Sequence, residues 1–91
     1  MVNCLVIKPE DTAATVIAPV KAGEDICYVL SGKEYRIKAV TDIPLYHKTA
    51  LCDIKKGDIV VKYGCKIGYA LKDIKKGEHV HTWNLDSKMT D

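Results

Sequence analysis

The chain has 91 residues, 47% of them hydrophobic and 29% charged, with a formal net charge of +2. That length allows a single domain with a thin core, burying only about 60–65% of its unfolded surface, so self-association into a homo-oligomer would help it. The charges are nearly balanced and the lysines are scattered among acids, as in Lys55-Lys56 beside Asp53 and Asp58, which argues against the one-sided basic stripe of a nucleic-acid groove.

No apolar run approaches the roughly 20 residues of a membrane span, so no membrane association is expected. The opening Met1-Val2-Asn3-Cys4-Leu5-Val6-Ile7-Lys8-Pro9 shows neither a basic start nor a small-residue cleavage site, so no signal peptide is read there. Cys4, Cys27, Cys52 and Cys65 have no C-x-x-C spacing. They are expected as reduced thiols packed mostly within strands, with a metal or disulfide role as the alternative, and the absence of a secretory signal suits a cytoplasmic protein.

In chain order, 2–7, 14–17 and 26–30 are short apolar runs of strand length, each bounded by Pro, Gly or charged turn residues. Ser31-Gly32-Lys33 is the expected hairpin connection. Glu34-Tyr35-Arg36-Ile37-Lys38-Ala39-Val40 alternates polar and apolar residues and reads as a half-buried strand. Residues 41–48 then form an extended or looped link, because Pro44 disfavours helix at Ile43, and a strand is expected from Thr49 to Cys52. Gly64 and Gly68 mark a further bend. Nothing carries an apolar face through three helical turns, so the reading is an all-β domain of short strands and hairpins over 1–85, followed by a polar tail, 86–91.

A repeat punctuates this order. Ala50-Leu51-Cys52-Asp53-Ile54-Lys55-Lys56-Gly57-Asp58-Ile59-Val60-Val61 returns as Ala70-Leu71-Lys72-Asp73-Ile74-Lys75-Lys76-Gly77-Glu78-His79-Val80-His81. A degenerate third copy is visible in Val20-Lys21-Ala22-Gly23-Glu24-Asp25-Ile26. In each, a β-branched residue leads through Lys-x-Gly to an acid, and the glycine supplies the positive φ of a tight reversal.

The second full copy departs from the first by placing His79 and His81 at i and i+2. On a strand these leave one face about 6.5–7 Å apart, so both imidazoles can converge on one ion or one anionic group. A third donor is then needed, with His47, Asn84 or an acid from another chain as candidates. The same spacing also suits two polar residues on the solvent face of a terminal strand. His47-Lys48, arriving on the link, could trade protons and pair with a carboxylate, or be surface residues of a loop. Trp83, the single tryptophan, lies two past His81 and is expected to share its face, covering the imidazoles or packing on another subunit. There is no nucleophile elbow, P-loop, dinucleotide fingerprint or acid cluster for magnesium, and a domain this thin is expected to lend residues to a larger partner.

Several motifs occur together and in order: Ile43-Pro44-Leu45-Tyr46-His47-Lys48-Thr49-Ala50-Leu51, Asp53-Ile54-Lys55-Lys56-Gly57, Tyr63-Gly64, Ile67-Gly68-Tyr69-Ala70 and Gly77-Glu78-His79-Val80-His81-Thr82-Trp83-Asn84-Leu85. Taken together they resemble the SAF domain of the altronate and galactarate dehydratase family, which is also the small subunit of two-subunit altronate dehydratase and of sulfolactate sulfo-lyase. The resemblance implies a β-clip fold and a lyase reaction on a sugar acid or related hydroxy acid, with Fe2+ or Mn2+ at the active site of a complex with a large catalytic subunit. His47 and Lys48 match the family's Pro-x-x-His-Lys element and are expected as catalytic contacts. His79, His81 and Asn84 match its Gly-Glu-His-Val-His-x-His-Asn element. There His79 and His81 are expected as metal ligands, and His79 and Asn84 as substrate contacts. Trp83 stands where a third histidine is common, and Tyr46 where a glycine is usual. The function expected is the small subunit of an altronate-type dehydratase, with a sulfolactate sulfo-lyase subunit or a non-catalytic assembly and gating module as alternatives.

Overall fold

A computed structural model describes residues 2–87, and all the regular structure in that span is strand. The strands are β1 (Cys4–Leu5), β2 (Ala13–Val16), β3 (Asp25–Leu30), β4 (Lys33–Lys38), β5 (Lys48–Ala50), β6 (Ile59–Lys62), β7 (Cys65–Ala70), β8 (His79–Val80) and β9 (Leu85–Asp86). They form a four-stranded sheet in the order β1-β2-β5-β8, the β3-β4 hairpin and a three-stranded sheet β6-β7-β9, with every pairing antiparallel. The all-β reading therefore holds. β9 carries regular pairing one residue past the expected boundary at Leu85, and the rest of the expected tail from Lys88 lies outside the described residues.

The four-stranded sheet is buried on both faces. Ala13 and Ala14 are adjacent on β2, point to opposite sides, and are both fully buried. Ala14 and Val16 pack with Cys4, Ile26, Tyr28, Ile37 and Ile43. Ala13 packs with Ala50, Ile54, Val60, Ile74 and Val80. Each fully buried isoleucine or valine is worth roughly 1.5–3 kcal/mol, so two small cores share one central sheet. Burial pushes the Cys4 thiol up to about 12, so it stays protonated and acts as a small apolar residue. All four cysteines are free, as expected, but Cys52 and Cys65 are exposed rather than packed.

The expected hairpin at Ser31-Gly32 is present, with φ of 53° and 78°, the two-residue turn with positive φ at both positions that suits the twist of its strands. Gly64 turns the next hairpin together with Tyr63. Gly68 is instead inside β7, paired with Val60 beside a shift in register.

The repeat has a fourth member that the sequence pattern concealed. Residues 16–26, 39–49, 50–60 and 70–80 form units whose fifth residues pair reciprocally, Val20 with Ile43 and Ile54 with Ile74. Within the pairs, the N–H of Gly57 donates to the Ala70 carbonyl, Gly77 to Ala50, Gly23 to Ala39, and Tyr46 to Val16. The first, fifth and eleventh positions of all four units are buried. The first two units supply one core and the last two the other. Local chemistry explains the concealment. Glu24, Asp58 and Glu78 accept from the N–H of Lys21, Lys55 and Lys75, but the corresponding residue of the second unit is Pro44, which has no N–H. An acid has nothing to cap there, and the position is His47.

Candidate metal centre

The partnership of β5 with β8 assembles the site. Lys48 pairs with Val80 and Thr49 with His79, and continuing that register by one residue sets His47 opposite His81. Residues directly opposite in an antiparallel pair have Cβ atoms about 4.5–5.5 Å apart. The three imidazoles accordingly converge, with ring centroids 4.8 Å apart for His47 and His81, 5.0 Å for His47 and His79, and 5.4 Å for His79 and His81. One ring nitrogen from each lies within 4.8 Å of the others.

His47 Nδ1 is 2.9 Å from His79 Nε2. In the neutral pair one nitrogen donates and the other accepts. Two cis ligands at a metal–nitrogen distance of about 2.0–2.1 Å are themselves roughly 3 Å apart, so the same spacing suits a shared cation. The donor set therefore fits a divalent transition metal, with His47 as the third nitrogen. Burial, then the neighbouring His47, His81 and Lys48, lowers the pKa of His79 below its ordinary value. That keeps it in the neutral form a metal requires.

Backbone anchors hold the cluster. The His79 N–H donates to Thr41 Oγ1 at 2.9 Å, a contact with no sequence signal because it joins residues 38 apart. Asn84, expected as a substrate contact, is fully buried. Its Oδ1 accepts from the His81 N–H at 2.8 Å and its Nδ2 donates to the His79 carbonyl at 2.8 Å. The amide is thus spent on the backbone of both histidines and faces away from solvent.

Trp83 is not reached by strand alternation. β8 ends at Val80, and the N–H groups of Asn84 and Leu85 both donate to the His81 carbonyl in a tight turn. From that turn the indole meets His79 and His81 edge-on, at centroid distances of 4.9 and 5.1 Å. Lys48 is the expected site residue that the fold does not bring into the imidazole cluster. Alternation along β5 sends it to the opposite face from His47, in the row of Leu5, Thr15 and Val80. Burial and the nearby Lys62 cation lower its pKa. A concavity of about 570 Å³ lies elsewhere, lined by residues including Asn3, Asp25, Cys27, Arg36 and Lys38. Its two cations are already held by Asp25, at 3.8 and 3.1 Å, and it contains no imidazole.

Residues 2–88 match the family model described as the altronate/galactarate dehydratase SAF domain. The chain belongs to this family. Altronate dehydratase of Escherichia coli (strain K12) is 38% identical over 81 residues, and that of Bacillus subtilis (strain 168) is 35% identical over 92 aligned positions. These alignments take in 89% and 100% of this SAF-domain chain but 16% and 18% of the dehydratases, so the chain spans less than a fifth of those relatives. The (2R)-sulfolactate sulfo-lyase subunit alpha of Paracoccus pantotrophus is 44% identical over 64 residues, 69% of this chain and 96% of that subunit. The segment aligned with this chain is thus a small part of the two dehydratases and nearly the whole of the sulfo-lyase subunit. Among the described residues no helix is long and apolar enough to cross a membrane.

Proposed function

We propose that this chain is the small subunit of a hydroxy-acid lyase, most simply an altronate-type dehydratase, with its imidazole cluster contributed to an active site completed by a larger catalytic chain. The observation that carries the reading is the meeting of His47, His79 and His81 within 4.8 Å on a domain of a dehydratase family. The reaction is a β-elimination: a base takes the proton beside the carboxylate, the C–H electron pair forms the double bond, and the β-hydroxyl accepts a proton from an acid group and leaves as water. The resulting enol tautomerises to a keto acid. Fe2+ or Mn2+, held by the three imidazoles, would supply Lewis-acid stabilisation of the negative charge that develops on the substrate.

The chain's own residues have separate parts. His79 is buried and neutral, and anchors the cluster. His47 and His81 are half-buried and present it to solvent. His47, expected as a catalytic contact, serves as the third nitrogen donor. Asn84 positions the backbone of the histidine strand and does not touch substrate. Lys48 acts on the cluster through its charge from the other face. Four free thiols suit a reducing cytoplasm.

The near-complete match to a sulfo-lyase alpha subunit favours a second substrate reading, in which sulfite rather than water leaves from (2R)-sulfolactate. Turnover of altronate against sulfolactate by the reconstituted complex separates the two. Changing both His79 and His81 to Ala should lower activity of that complex by at least 100-fold while complex formation and the β-sheet circular dichroism persist. Full activity in the double variant would leave an assembly module as the correct reading.

A further inference from the structure

Tyr46 occupies the glycine position of its repeat unit. The three equivalent residues are Gly23, Gly57 and Gly77, with φ of 90°, 89° and 85°, and Tyr46 adopts the same left-handed region at 66°. An aromatic residue there costs about 1 kcal/mol or more relative to glycine. Among the described residues little burial of its ring offsets that cost, because Tyr46 is 71% exposed. It immediately precedes His47. Trp83 is 53% exposed while its ring contacts His79 and His81. Leu45, beside Tyr46, is also exposed.

Small-molecule sites are concave and bury about 70–90% of the ligand. His47 and His81 are half-buried, with the exposed Trp83 ring against His81 and the exposed Tyr46 next to His47 in the chain, and none of them lines the 570 Å³ concavity. A substrate bound at this cluster needs a wall that comes from other polypeptide. Tyr and Trp are the residues that dominate protein interfaces, where they anchor into pockets of the partner. In the altronate dehydratases, more than four-fifths of the chain lies outside the matched segment.

We propose that Tyr46 and Trp83 dock the large lyase chain over the histidine cluster, so that the active site is closed at the subunit interface. The proposal rests on the lyase reading above and names the face through which the subunits join. The strain at Tyr46 is retained because its ring is buried only in the complex.

The test is purification of the tagged chain from its own cells, with its co-purifying chain identified by sequence, followed by titration of the two purified components. The wild type should bind a polypeptide homologous to the remainder of the altronate dehydratases. Trp83→Ala and Tyr46→Gly should each weaken binding by about 30-fold. Val29→Ala, an exposed control on β3, should not weaken it. Zn2+ uptake by the isolated Tyr46→Gly variant should match wild type, and its thermal midpoint should rise as strain is relieved. If the wild type binds no such chain, the lyase-subunit reading fails and the docking face with it. If it binds and both aromatic variants bind equally well, the docking face alone is wrong. If the Val29 control weakens binding as much as the aromatic variants, the docking face is likewise misplaced.

Discussion

Asn84 does more for the site than its position in a polar turn suggests. Its amide ties the His81 N–H to the His79 carbonyl, closing the chain just after β8 so that both imidazoles leave on the same side as His47. Each such bond is worth about 0.5–1.5 kcal/mol net, and an orphaned buried backbone group costs about 1–3 kcal/mol. Asn84→Ala should therefore destabilise the isolated chain by about 2–4 kcal/mol in urea unfolding. It should also weaken Zn2+ binding, read by calorimetry. Asn84→Asp should rescue only the bond from His81, because a carboxylate cannot donate to the His79 carbonyl.

The repeat units share their chemistry but not their surroundings. Gly57 and Gly77 have the same backbone, yet a Cβ at Gly57 would meet open space, whereas at Gly77 it would run into the Lys38 carbonyl. Gly57→Ala should thus cost about 1 kcal/mol of conformational strain. Gly77→Ala should cost several times that, because backbone has to move where 77–79 crosses the first half of the molecule. Comparing their thermal midpoints checks this.

A second element-scale link is Asp11, buried with its carboxylate accepting from the N–H groups of Ile7, Lys8 and Gly64. Burial acts to raise its pKa, but those bonds and one from Tyr63 outweigh it, and the carboxyl sits below its ordinary 3.8. A lowered folded-state pKa stabilises above the unfolded value and loses that contribution as pH falls. The stability gap between wild type and Asp11→Asn should be full at neutral pH and should shrink below about pH 4, measured by urea unfolding across pH.

At the scale of the whole molecule, the site joins two halves. His47 belongs to the pair of units that builds the first core, and His79 belongs to the pair that builds the second. A cation bound by both should fasten them together. At 100 times its dissociation constant a ligand specific for the folded state adds about 2.7 kcal/mol. Zn2+ should raise the thermal midpoint of the wild type accordingly, and His47→Ala should abolish the shift without changing the midpoint of the metal-free chain by more than a few degrees. Because the two cores share β2 through Ala13 and Ala14, the near-ultraviolet signal of the stacked Tyr28 and Tyr35 and the fluorescence of Trp83 should lose their native values in one coincident transition.

Turn chemistry was legible from the sequence because it is local. Lys-x-Gly followed by an acid folds back on itself through glycine's positive φ and a side-chain cap, whatever surrounds it. The strands between such turns, and hence the all-β class, follow from alternation over a few residues. So does the pairing of His79 with His81 on one face. The fourth unit stayed hidden because Pro44 and Tyr46 removed both of its signals while its backbone kept the same course. What only the tertiary structure decided was register. His47 and Lys48 are neighbours in the chain, and nothing local says which one faces His81. The pairing of Lys48 with Val80 settles it, since a slip of one residue would exchange imidazole for ammonium at the site. That register is set by burial of Ala50 and Val80 in one core and Thr49 beneath the other face. Those contacts lie across the whole fold and carry no signature in the residues beside His47.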